Sequence, residues 1–88
     1  MNASFLLEAV FKVGTHTILT GTVKEGVLKP GMKFDLNGKS LIIEKIESMG
    51  VQLHSAPADS KVGISFKNLS PSDLPDLKLL IKNRLFFS

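Results

Sequence analysis

Histidine, serine and carboxylate side chains are the residues here that could do chemistry, and their spacing argues against most of it. His16 and His54 are the only histidines, and each lies in or beside an expected turn. A zinc site needs three or four ligands, and with no cysteine in the chain only carboxylates could complete one. Both therefore read as surface histidines, and neither a metal nor a cofactor is expected. His54, Ser55 and Asp59 supply the letters of a hydrolytic triad. Adjacent residues on a strand point to opposite faces, so Ser55 and His54 could not meet as nucleophile and base.

Gly38-Lys39-Ser40 has the ending of a phosphate-binding loop, but the position needing the earlier glycine holds Lys33. A strand-like run, Leu41-Ile42-Ile43, follows where that loop requires a helix. A hairpin tip with a solvated lysine is the better reading. Glu44 and Glu47 are close enough to serve as acid and base, yet nothing in their surroundings would separate their pKa values. No catalytic residue is expected. Lys33, Lys39 and Lys45, with Lys24 and Lys29, cluster around two hairpins among Glu25, Asp35 and Glu44. They read either as an ion-paired soluble surface or as a stripe facing RNA phosphates.

Bulk properties agree with a binding module. The chain has 88 residues, 43% hydrophobic and 22% charged, with net charge +3. That is one small globular domain. Ten of the eleven basic residues are lysine, which argues against a dedicated base-reading surface, where arginine forks are favoured. No apolar run approaches the roughly 20 residues that cross a bilayer. No secretory leader is evident at the N-terminus, so a cytoplasmic protein without membrane contact is expected.

The elements that must position these residues are strands. Phe5, Leu7, Ala9, Phe11 and Val13 alternate as the buried face of a first strand, and Gly14 to Thr17 reads as a loop. Ile18 to Lys24 is a second strand, in which Gly21 marks a bend or a close backbone approach. Gly26 suits a positive-φ turn, and Pro30-Gly31 a type II turn. Asn37-Gly38 is the strongest hairpin signal, suited to a type I′ turn. Leu41 to Met49 returns as a strand whose alternation slips near Glu44-Lys45, as a β-bulge would make it. Val51 to Ser55 is a strand candidate, and Val62, Ile64 and Phe66 alternate around Gly63. Ser70 to Asp73 reads as a capped helical start that Pro75 stops after a single turn. Leu77 to Ile81 is either a closing strand or a short amphipathic helix. Closure of the sheet favours the strand. The core is expected over about 4–81, leaving 82–88 as an apolar and basic tail. There, Phe86 and Phe87 either cover the barrel's open end or form an interface for self-association.

The run Thr17–Leu36 with its three glycines, the block Ile46-Glu47 through Val62-Gly63, and Phe66–Leu69 followed by Asp73-Leu74 occur in order. With that spacing the chain resembles the second domain of elongation factor Tu and related translational GTPases, from about Glu8 to Leu80. The resemblance implies an all-β fold, a small closed six- or seven-stranded Greek-key barrel with one short helical turn near the C-terminus. It also implies a domain that hydrolyses nothing and binds no GTP by itself, because the GTP machinery lies in a separate preceding domain. Such barrels contact the aminoacyl end of tRNA or the ribosome. By the same resemblance Glu47 stands at the acidic position of the aminoacyl pocket. Lys61 replaces that pocket's asparagine, and Met49-Gly50 an aromatic and a basic residue, which argues against aminoacyl-end binding. The expected function is thus a non-enzymatic, translation-associated module. It would contact RNA, the ribosome or a translation-factor protein, with Glu47, Lys61, Lys33, Lys39 and Lys45 as candidate binding residues. The alternative is a protein-interaction adaptor or homodimeric barrel with no nucleic-acid role.

Overall fold

The computed structural model describes residues 2–88; of the expected domain 1–88, Met1 lies outside the described residues. Nine strands follow one another: β1 (Ala3–Val13), β2 (His16–Glu25), β3 (Val27–Leu28), β4 (Lys33–Leu36), β5 (Lys39–Ser48), β6 (Val51–Leu53), β7 (Ala56–Pro57), β8 (Lys61–Phe66) and β9 (Arg84–Phe87). A 3-10 turn (Pro71–Asp73) and a short helix α1 (Leu74–Lys78) precede β9. Six strands wrap in the order β4-β5-β8-β2-β1-β9, with β6 hairpinned onto β5 and β3 paired with β7. The sheet curls until its ends meet. Lys33 N–H donates to the Ser88 carbonyl at 2.8 Å and Ser88 N–H to the Lys33 carbonyl at 3.0 Å. The result is a nearly closed Greek-key barrel with one short helix near the C-terminus.

The turn residues do what their chemistry allows. Asn37 (φ 51°) and Gly38 (φ 92°) take the left-handed pair of a type I′ hairpin joining β4 to β5,. Lys29 C=O accepts from Met32 N–H at 3.2 Å across Pro30-Gly31, which is the expected four-residue turn. Gly26, like Gly31, lies at positive φ. Gly21 is buried where β2 crosses β1, and a Cβ there would overlap the Leu6 carbonyl oxygen and sit 2.8 Å from the Phe5 ring. The bulge expected in β5 falls between Ile43 and Lys45, leaving both Glu44 and Lys45 exposed.

Four expectations are corrected. First, Leu77 to Ile81 is not a strand. Leu77 ends inside α1 and is fully buried, with Leu80 and Ile81 packed against the core, the inward spacing of a helix. Second, Pro75 does not stop this helix. It lies in the first turn of α1, where a missing N–H costs nothing. Third, 82–88 is no tail: β9 pairs with β1 from Ala3↔Phe87 to Leu6↔Arg84 and completes the barrel. Leu85 and Phe87 are core residues, so the core runs from Ala3 to Phe87, and Phe87 is unavailable as an interface. Its ring lies 5.6 Å from Phe34, 6.2 Å from Phe66 and 6.5 Å from Phe5. Phe86, one residue out of phase, faces outward at 65% exposure.

The fourth correction concerns β1. Its register slips between Leu7 and Ala9, so the inward face changes parity at Glu8. Phe5 and Leu7 are core, whereas Phe11 and Val13 are 54% and 59% exposed, and Val10 packs inward instead. The loop after them is also shorter than expected, because His16 and Thr17 already belong to β2.

Candidate binding surface

Alternation along β8 builds the site. Val62, Ile64 and Phe66 are buried, which turns Lys61, Gly63 and Ser65 outward. Gly63 is the ladder partner of Thr20 on β2 and of Glu47 on β5. With no side chain between those two neighbours, the wall is indented. A Cβ at Gly63 would meet Ile18 Cγ2 at 3.0 Å, so the indentation is narrow as well as bare. A cavity of about 310 Å³ lies over Gly63, lined by Glu8, Thr20, Glu47, Met49 and Lys61. A second, of about 150 Å³, continues from it, with Val13 and Ile18 below and Glu44, Lys45, Glu47 and Ser65 along its wall. Glu47 is common to both, so they form one groove across β2, β8 and β5.

The groove's charges are unpaired with each other. Among the described residues the ion pairs are Lys39–Asp73 at 2.7 Å and Arg84–Glu25 at 3.2 Å, and neither touches Glu47, Lys45 or Lys61. Glu8 accepts from Thr22 Oγ1 at 3.0 Å, which satisfies the buried threonine hydroxyl. At the groove's lip, Met49 and Gly50 occupy the left-handed region (φ 52° and 78°) in the turn from β5 to β6. Met49 is 99% exposed there, although asparagine or glycine suits that position better.

A larger cavity, about 510 Å³, opens where β2 and β8 part. Their ladder ends at Leu19↔Ile64, while β2 begins at His16 and β8 runs to Phe66. Lys12, His16 and Thr17 face Lys67, Ser70 and Leu74 across the cleft.

Of the residues singled out in the sequence, Glu47, Lys61 and Lys45 come together at the groove. Lys33 and Lys39 do not. Lys33 sits on the closing strand β4, and Lys39 Nζ is bound by Asp73 Oδ2 and by Ser70 Oγ at 3.4 Å. This Lys39 contact, with the Ser70 N–H bond at 2.9 Å, holds the Asp73 carboxyl below its usual range. Lys39 therefore fastens the β4–β5 hairpin to the 3-10 turn. Asn37 Nδ2 adds a bond to Asp76 at 3.3 Å. Thr20 and Ser65 were readable from alternation as outward neighbours of Gly63, whereas Phe11 and Val13 were not, because the bulge at Glu8 has no sequence signature. Glu44 lines the second cavity beside Glu47 and Lys45, though not the one directly over Gly63. Among the described residues, no three His, Asp or Glu side chains gather as metal ligands. None of the hydrogen bonds between side chains joins His54, Ser55 and Asp59.

Compared with known proteins, the chain is 35% identical over 71 residues to elongation factor 1-alpha from Eimeria bovis, covering 77% of this chain and 20% of that protein. Its fold superposes on the crystal structure of GDP-bound aIF5B from Aeropyrum pernix with a TM-score of 0.71, covering 98% of this chain and 14% of that one at 21% identity. The chain resembles a β-barrel domain of the translational GTPases. No family model matches it. The chain thus spans about a fifth of the length of the curated relative it matches, and the groove over Gly63 lies on the barrel's outer wall. No helix of this barrel is long and apolar enough to cross a membrane.

Proposed function

We propose that this barrel is a non-enzymatic docking module of the translation apparatus that meets RNA, on the ribosome or on tRNA, through the groove over Gly63. It works in the cytoplasm and binds no GTP itself. The observation that carries this reading is the bare position at Gly63, on a barrel resembling those of translational GTPases, walled by the uncompensated Glu47, Lys45 and Lys61. Lysine ammonium groups there suit phosphate as point charges, while the apolar floor of Val13 and Ile18 suits the face of a base. The mixed signs favour a shaped contact over a purely electrostatic one.

The test is equilibrium retention of the purified protein on ribosomes and on tRNA across a salt series. Binding is expected to weaken with salt, and Lys45→Gln and Lys61→Gln each to lower the logarithmic salt slope by about one. Absence of retention even at low salt removes the proposal. Slopes that neither lysine changes would move the contact away from this groove. A second reading, a barrel that meets protein, is favoured by the outward Phe11, Val13 and Phe86. Retention of a translation-factor protein without RNA would select it.

A further inference from the structure

Several stretches of the barrel have backbone partners on one side only, and five residues of β1 form one of them. β1 is paired with β2 along its length, but β9 covers its other edge only over Ala3–Leu6. The chain following α1 covers one residue more: Lys82 N–H donates to the Leu7 carbonyl at 2.6 Å, and Leu7 N–H to the Asn83 carbonyl at 3.0 Å. From Ala9 to Val13 that edge meets no strand. A row of free backbone groups is a template for another strand unless something guards it. Other edges are shorter or guarded: β9 is four residues long and its neighbour Ser88 is bonded to Lys33. β6 is three residues long, β7 is two residues with Pro57, which has no N–H, and β4 carries Lys33 and Asp35 beside its closing pair with Ser88. Ala9, Val10, Phe11, Lys12 and Val13 include one charge and no proline, and Phe11 and Val13 are the exposed apolar residues of the strand.

We propose that a second copy of this chain adds to this edge as an antiparallel strand on a two-fold axis through Phe11. The segment selects that register itself. Antiparallel partners share a face, so a symmetric pairing must centre on a residue. Centring on Lys12 sets lysine directly against lysine, which repels. Centring on Val10 sets Val13 against Leu7, whose edge is already taken by Lys82 and Asn83. Centring on Phe11 sets Phe11 against its copy, Ala9 against Val13, and Val10 against Lys12. No like charges then oppose, and the exposed aromatic gains an aromatic partner. The β2 neighbour of Phe11 is Ile18, so the joined ribbon β2-β1-β1-β2 carries a continuous apolar strip. The interface is isologous and closed, which limits assembly to two copies, and it leaves Lys61 and Gly63 on β8 uncovered.

Sedimentation across a concentration series tests this. The full chain is expected to shift from its 9.6 kDa mass to twice that value as concentration rises. Phe11→Lys and Phe11→Glu each place a charge against its own copy on the axis, and each is expected to sediment as monomer. An equimolar mixture of the two is expected to restore the dimer, because opposite charges then face one another. Phe11 is already more than half exposed, so both variants are expected to melt within a few degrees of the parent. Monomer at every concentration up to millimolar overturns the proposal. So does a dimer that both variants leave intact, or a mixture that stays monomeric while the parent dimerises.

Discussion

At Gly21 the absence of a side chain lets two strands cross. A methyl group added there meets main-chain oxygen at Leu6 and the ring of Phe5, neither of which can move without shifting β1. Gly21→Ala is expected to destabilise the barrel by about 3 kcal/mol, at the upper end of overpacking costs. Gly14→Ala is a fair contrast: it is also strained, at φ 62°, but has open space around it, and is expected to cost about 1 kcal/mol. Urea titration of the three proteins separates these figures. Asp73 is the residue whose titration bears on stability. Its carboxyl is held below the ordinary 3.8 chiefly by the Lys39 ammonium, then by Ser70 N–H. A lowered folded value means that its stabilisation is complete above 3.8 and is lost as pH falls through the lower folded value. Asp73→Asn is expected to flatten the acid limb of a melting-temperature profile below about pH 4. A variant profile parallel to the parent's on that limb would detach Asp73 from acid sensitivity.

At the scale of elements, β9 closes the barrel, and one of its aromatic pair carries the packing. Phe87 is buried among three other phenylalanines, whereas Phe86 points outward. Phe87→Ala is expected to cost about 3–5 kcal/mol, while Phe86→Ala is expected to stay within about 0.5 kcal/mol. Equal losses in urea would contradict the alternation. This strand is also where sequence and structure part most. Leu85 and Phe87 alternate over too few residues for a period to register, and their partner strand, Ala3–Leu6, lies at the far end of the chain. Leu77, Leu80 and Ile81 fit both a strand that closes the sheet and a helix that plugs it. The helix wins because Pro75 favours a first turn and because β9 already supplies the closing strand. By contrast, Asn37-Gly38, Pro30-Gly31 and the slip near Glu44 were readable locally, since turn chemistry and bulges in an alternating run leave short-range marks.

For the whole molecule, the barrel was legible because its glycine-punctuated runs come in a fixed order. The groove was legible in part. Glu47, Gly63 and Lys61 could be placed through resemblance and alternation, while the free edge of β1 could not. That edge depends on how far β9 reaches along β1, a long-range pairing that no local pattern reports. The bulge at Glu8, which turns Phe11 to solvent, is equally silent in the sequence.

Ala3 and Phe87 are opposite each other in one ladder, so the polypeptide enters and leaves the barrel about 5 Å apart. Such a fold can sit within a longer chain as a side loop does, adding mass without spreading its points of attachment. A circularly permuted version, with a short linker from Ser88 to Asn2 and the chain reopened at Asn37-Gly38, is expected to keep the strand pairings and the Ser88–Lys33 closure, losing only the turn that connects β4 to β5.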